Sequence, residues 1–109
     1  MSVKDNLLSD FPHVYPGLTR PEIERLLTLL DESASTEGRL SLSIATAVKP
    51  LAPQVARRIE SYGTSGDVDE YVRMLRGVAV LLLQMWRPDE QPPAPDSISN
   101  MVEAIEGID

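Results

Sequence analysis

The sequence predicts an all-α protein: a small bundle of four to five helices around a long central helix, 68–86, with a short C-terminal helix after a proline-rich linker. Three observations predict it. Apolar residues recur at three- and four-residue spacing along most of the chain. No stretch alternates apolar and polar as a half-buried strand does. The Pro–Gly clusters fall between the periodic stretches, where they act as stops.

Residues 3–10 form the first expected helix, because Val3, Leu7 and Phe11 recur every four residues. "FPHVYPG" should end it, since Pro12, Pro16 and Gly17 deny regular helix. The second start is clearer. Thr19 stands three residues before Glu22, the spacing of a capping box, and Pro21 lies in the first turn where its missing N–H is tolerated. Ile23, Leu26, Leu27 and Leu30 then make one stripe, running to about Ser33. "SASTEGRLS" reads as a polar loop. A short third helix follows on Leu42, Ile44, Ala45 and Val48, ended by the restriction that Pro50 places on Lys49.

A fourth helix starts at Ala52, carries Val55, Ala56 and Ile59 inward, and closes at Tyr62 with Gly63 as the left-handed residue after it. The central helix opens on Asp67 and Glu70. Its stripe is Val68, Val72, Leu75, Val78 or Ala79, Leu82, and Met85 or Trp86, and Pro88 ends it after ~29 Å. Asp69, Arg73 and Arg76 mark its outer side, while "VAVLLLQM" is apolar nearly all round, as in a helix surrounded by protein. Gly77 costs about 1 kcal/mol against Ala in mid-helix, which points to another helix approaching closely there.

The domain organisation follows. Residues 1–87 form the helical domain, 88–96 a Pro-rich acidic linker, and 97–109 an acidic amphipathic segment. Pro88, Pro92, Pro93 and Pro95 favour a semi-rigid polyproline II spacer. Beyond it Ile98, Met101, Val102 and Ile105 share one helical face, stopped by Gly107. A helix this short is marginal alone in water and needs a surface to form on.

Composition limits the function classes. The chain of 109 residues has room for one domain, and with only five aromatics its core must be mainly aliphatic. It contains no cysteine, which excludes disulfide scaffolds and Cys-based metal or redox sites and fits a cytoplasmic location. No secretory signal is evident, and the nine-residue run "VAVLLLQMW" falls well short of a membrane span, so no membrane partner is expected. The net charge of −7 is uneven. Residues 1–88 carry all ten basic residues against eleven acids, whereas 89–109 carry six acids and no base. The acidity belongs to the tail, and the body is nearly neutral.

Catalytic signatures are missing. His13 is the one histidine and sits between prolines in an expected loop. No serine has a nucleophile-elbow context, "GTSGD" lacks the P-loop lysine, and Asp31, Glu32 and Glu37 lack EF-hand spacing. No enzyme, cofactor or metal is expected.

Residues 44–59 read I-A-x-x-V-x-x-x-x-x-x-V-x-R-R-I, which resembles the helix-turn-helix of bacterial repressors. In that family an Ala packs between the two helices and a Val ten residues later lies inside the second. Here Ala45 and Val55 match those positions. The resemblance implies a recognition helix within 43–62, with Lys49, Gln54, Arg57 and Arg58 as nucleic-acid contacts. The chain departs from the pattern at Lys49, where Gly is usual, and at Pro50, where a small apolar residue plugs the corner. Glu60 also interrupts a basic field that is already narrow. A helical corner with Arg57 and Arg58 solvated or salt-bridged outweighs DNA binding.

The tail admits three dockings: on its own body, on another protein or second copy, or over Arg57 and Arg58 as an autoinhibitory polyanion. The favoured expectation is a non-catalytic interaction module, a small adaptor, assembly or regulatory protein. It would bind another protein or itself through the bundle and through the tail residues Ile98, Met101, Val102 and Ile105. A helix-turn-helix DNA-binding regulator is the alternative. A nucleic-acid mimic is a weaker third, because its acids would sit on a tail rather than on a rigid face.

Overall fold

The computed structural model describes residues 3–14, 18–34, 40–63, 65–87, 89, 91 and 96–106. Six α-helices account for most of them: α1 Val3–Val14, α2 Arg20–Ala34, α3 Leu40–Val48, α4 Pro53–Tyr62, α5 Gly66–Met85 and α6 Asp96–Glu106. The described residues include no strand, so the all-α bundle stands. Residues 35–39 of the polar loop, most of the proline-rich spacer and the stop at Gly107 lie outside the described residues.

Some boundaries differ from expectation, and α3 takes in Leu40 and Ser41 of the expected polar loop. The first helix does not stop at residue 10 but continues through Pro12 to Val14. A proline in the last turn forfeits one hydrogen bond to the carbonyl four residues back. The preceding turn is anchored by Phe11, fully buried, and by the buried carboxylate of Asp10. The cap of α5 is Ser65, in extended conformation, rather than Asp67. Asp67 lies inside the first turn, where a carboxylate still faces the positive end of the helix dipole. The Ser65 hydroxyl donates 3.1 Å to the Tyr62 carbonyl, which ties the end of α4 to the start of α5.

Other starts and stops follow local chemistry. Glu22 Oε1 accepts from the Thr19 N–H at 3.0 Å and from its hydroxyl at 2.9 Å, so the return half of the capping box is made. These bonds, the backbone one first, hold the Glu22 carboxyl below the ordinary carboxylate value. Between α3 and α4 the chain turns within four residues. Leu51 and Ala52 N–H groups both donate to the Val48 carbonyl, at 2.9 and 2.8 Å. Gly63 closes α4 with φ 67° and ψ −130°, a backbone conformation outside the left-handed helical basin and suited to glycine.

One apolar cluster joins all six helices. Around α5 it gathers Leu7 and Phe11 of α1, Ile23, Leu26 and Leu30 of α2, and Val55 and Ile59 of α4, while α3 adds Ile44 and Val48 and packs on α2 and α4. Trp86, rather than Met85, completes the α5 stripe: Trp86 is buried and Met85 is 51% exposed. The run "VAVLLLQM" is only partly enclosed, because Val80, Leu81 and Leu83 are half-buried and Gln84 is exposed.

Polar links fix how α2 lies on α5. Arg20 Nη1 donates to the Leu83 carbonyl at 2.9 Å and to the Trp86 carbonyl, so a cation closes the C-terminal end of α5. Eleven residues further along α2, Asp31 pairs with Arg76. Chain number rises along α2 as it falls along α5, so the two helices run antiparallel. The Asp31–Arg76 pair is exposed on both sides and adds little to stability.

The C-terminal helix packs on α1 and α5. Ile98, Met101 and Val102 are 1%, 3% and 0% exposed and belong to the common core. Ile105 sits over Gly77. A Cβ built on that glycine would lie 2.7 Å from Ile105 Cδ1 and 3.1 Å from its Cγ1. The close approach expected at Gly77 is made by α6.

Candidate functional site

Two helices build the corner. Ile44, Ala45 and Val48 of α3 and Val55, Ala56 and Ile59 of α4 are all buried, so the apolar spacing that resembles a helix-turn-helix is the inner surface of this corner. The opposite side of α4 faces solvent. Gln54 and Arg57 are exposed there, as is Lys49 in the connection, and Arg58 is half-buried. The four residues singled out for nucleic acid thus come together on one outward corner.

They line two hollows. One, of ≈ 310 Å³, is bordered by Gln54, Arg57, Arg58 and Ser61 of α4 and by Asp10 of α1. The other, of ≈ 230 Å³, is bordered by Lys49, Pro53, Ala56, Arg57 and Glu60. Arg57 stands between them and belongs to both. Among the described residues none forms an ion pair or hydrogen bond with its guanidinium.

Arg58 is differently placed. Its Nε donates to Asp10 Oδ2 at 2.9 Å and its Nη2 to Oδ1 at 3.1 Å, a two-pronged pair with a buried carboxylate. The bond to Asp10 raises the Arg58 pKa above its ordinary value, so its positive charge is permanent. The Tyr71 hydroxyl donates to the same Oδ2 at 3.1 Å. Burial first, then the charge and hydrogen bond of Asp10, push the Tyr71 pKa far upward, so this phenol stays neutral.

One turn away, Asn6 Nδ2 donates to the Tyr62 hydroxyl. Residue 6 pairs with 62 and residue 10 with 58, a two-rung polar ladder between antiparallel α1 and α4. The Tyr62 and Tyr71 rings pack 5.7 Å apart beside it, tilted by 51°.

Reading the chain for apolar residues missed this ladder. Val3, Asn6, Leu7, Asp10 and Phe11 are all buried and recur at three- and four-residue spacing. The signal was present as two polar residues on an otherwise apolar stripe. Sequence alone does not show that α4 and α5 bring an arginine and two tyrosines to meet them.

The tail residues named as partner contacts occupy a different setting. Ile98, Met101 and Val102 are buried in the body, and Ile105 is half-buried on Gly77. Of the three dockings considered, this arrangement is the fold-back onto α1 and α5. What α6 turns outward is mostly polar, with Asp96, Ser99, Asn100 and Glu103 exposed beside Ala104.

Among the described residues no group of three or more His, Asp or Glu side chains could hold a metal ion, and no helix is long and apolar enough to cross a membrane. Comparison with protein-family models, with curated proteins and with solved structures finds no match to this chain.

Proposed function

We propose that this chain is a non-catalytic protein–protein interaction module whose contact surface is the outward α3–α4 corner. The observation that carries the reading is the pairing of Arg58 with Asp10. It removes one of two adjacent arginines from the charge available to a nucleic acid and leaves Arg57 and Lys49 beside Glu60, a surface of mixed sign. DNA presents one negative charge per ~1.7 Å of helix axis and rewards a broad basic field. Protein surfaces carry both signs and match a mixed patch more readily. The α6 helix contributes by covering α1 and α5, the helices on which α4 packs.

The second reading, a helix-turn-helix DNA-binding regulator, draws support from Lys49, Gln54 and Arg57 sharing one exposed corner. One experiment separates the two. A photo-crosslinking benzoylphenylalanine is placed at Glu60, with a control at Asp69 on the exposed side of α5, in cells expressing the chain. The expected result is a discrete protein adduct from position 60 alone, lost on Arg57→Glu. A nuclease-sensitive adduct supports the DNA reading instead. No adduct, or equal adducts from both positions, refutes the corner as a contact surface.

A further inference from the structure

We infer that the hollow between α1 and α4 is a carboxylate-binding pocket that receives an acidic side chain of the partner protein. This deepens the protein-binding reading and rests on it.

Gln54, Arg57, Arg58 and Ser61 stand at i, i+3, i+4 and i+7 on α4, the spacing that puts four side chains on one face. They border a hollow of ≈ 310 Å³ whose far side is Asp10 of α1. That volume is near the small end of ligand pockets, about 300–1,000 Å³, and suits one side chain better than an extended ligand. The wall is rich in donors. A guanidinium carries five N–H donors and no acceptor. Arg58 uses Nε and Nη2 on Asp10, leaving Nη1, and no described residue engages Arg57. The one carboxylate in the wall already accepts from Arg58 at both oxygens and from Tyr71.

Charge selects the occupant. Two guanidinium groups against the Asp10 carboxylate leave the pocket one positive charge in excess. A singly charged carboxylate balances that excess, whereas a phosphate monoester would set a second negative charge against Asp10. A DNA phosphodiester is also singly charged, but it comes in a row, and the adjoining hollow sets Glu60 beside Lys49, a mixed rather than a broad basic field. An acidic side chain on a protein brings no such row. Arg58 is held in place by Asp10, so it loses little freedom when a second carboxylate arrives, which is the benefit of preorganisation.

The test is titration of the isotope-labelled full chain with sodium acetate at constant ionic strength. The readout is the Arg57 and Arg58 Nε–H and Gln54 side-chain amide resonances by NMR. Dimethyl phosphate is titrated in parallel. Saturating acetate shifts at these groups, absent in Arg57→Ala, establish the pocket. Arg57→Ala should keep the wild-type melting temperature, because that side chain is exposed and unengaged by the described residues. Three results would overturn the inference: no saturation, shifts that survive Arg57→Ala, or tighter binding of dimethyl phosphate than of acetate. If acetate fails while the adduct from position 60 persists, only the pocket falls. If the adduct is absent, the protein-binding reading falls with it.

Discussion

Gly77 and Ile105 offer the sharpest test of how the C-terminal helix sits. In the middle of α5, Gly77→Ala should gain about 1 kcal/mol from helix propensity alone. The new methyl would, however, lie 2.7 Å from Ile105 Cδ1 and 3.1 Å from Cγ1, closer than carbon atoms pack. Ile105 is half-buried, so it can turn outward, at the loss of roughly half the 1.5–3 kcal/mol that full burial of an isoleucine contributes. The propensity gain and the contact loss nearly cancel. Gly77→Ala alone should therefore lie between neutral and about 1 kcal/mol destabilising. Ile105→Ala alone should cost about 1–2 kcal/mol, below the range for fully buried sites. In the Ile105→Ala background the obstruction is gone, and the same Gly77→Ala change should stabilise by about 1 kcal/mol.

The coupling between the two sites is then about 1–2 kcal/mol. Urea unfolding followed by circular dichroism, with the fluorescence of buried Trp86 as a second probe, measures all four variants. If Gly77→Ala stabilises by the same amount in both backgrounds, α6 does not rest on Gly77 and the packing described is wrong.

Asp10→Ala should destabilise by about 2–3 kcal/mol, because it leaves the Tyr71 hydroxyl and part of Arg58 without their acceptor. Denaturant titration of Asp10→Ala, Arg58→Ala and the double variant should give strongly non-additive losses, and simple additivity would contradict the pair. Arg20→Ala should cost about 1–2 kcal/mol, since two carbonyls at the end of α5 lose a cationic donor; a melting temperature equal to wild type would count against that cap. Stability should also fall at high pH. Tyr71 has its pKa raised in the fold, so as pH climbs above the unfolded value near 10.0 the unfolded chain loses its proton first. The stability present below that pH declines as it is exceeded, by at most about 1.4 kcal/mol per pH unit. Tyr71→Phe should flatten this decline in unfolding curves taken between pH 9 and 11, and an unchanged slope would assign it to another group.

The helices with local signals were legible in the order of residues alone. The capping residues Thr19 and Glu22, the tolerated proline at position 21, the terminating Gly63 and the apolar stripes of α2, α4 and α5 need only a few neighbouring residues to be read. Gly77 was legible as an anomaly, a costly residue in a helix that otherwise favours bulk, and it pointed to a neighbour without naming it. Other features depended on contacts between helices. Pro12 stays within α1 because Asp10 and Phe11 are held by other helices, so anchoring overrides a local stop.

Arg57 and Arg58 are adjacent and chemically identical in the sequence. A rotation of about 100° between neighbouring positions of α4 leaves the first in solvent and carries the second to a carboxylate 48 residues away. Likewise the face of α6 that sequence offered to a partner is covered by α1 and α5. An amphipathic helix declares that its apolar face will be buried, while the identity of the surface that buries it depends on contacts distant along the chain.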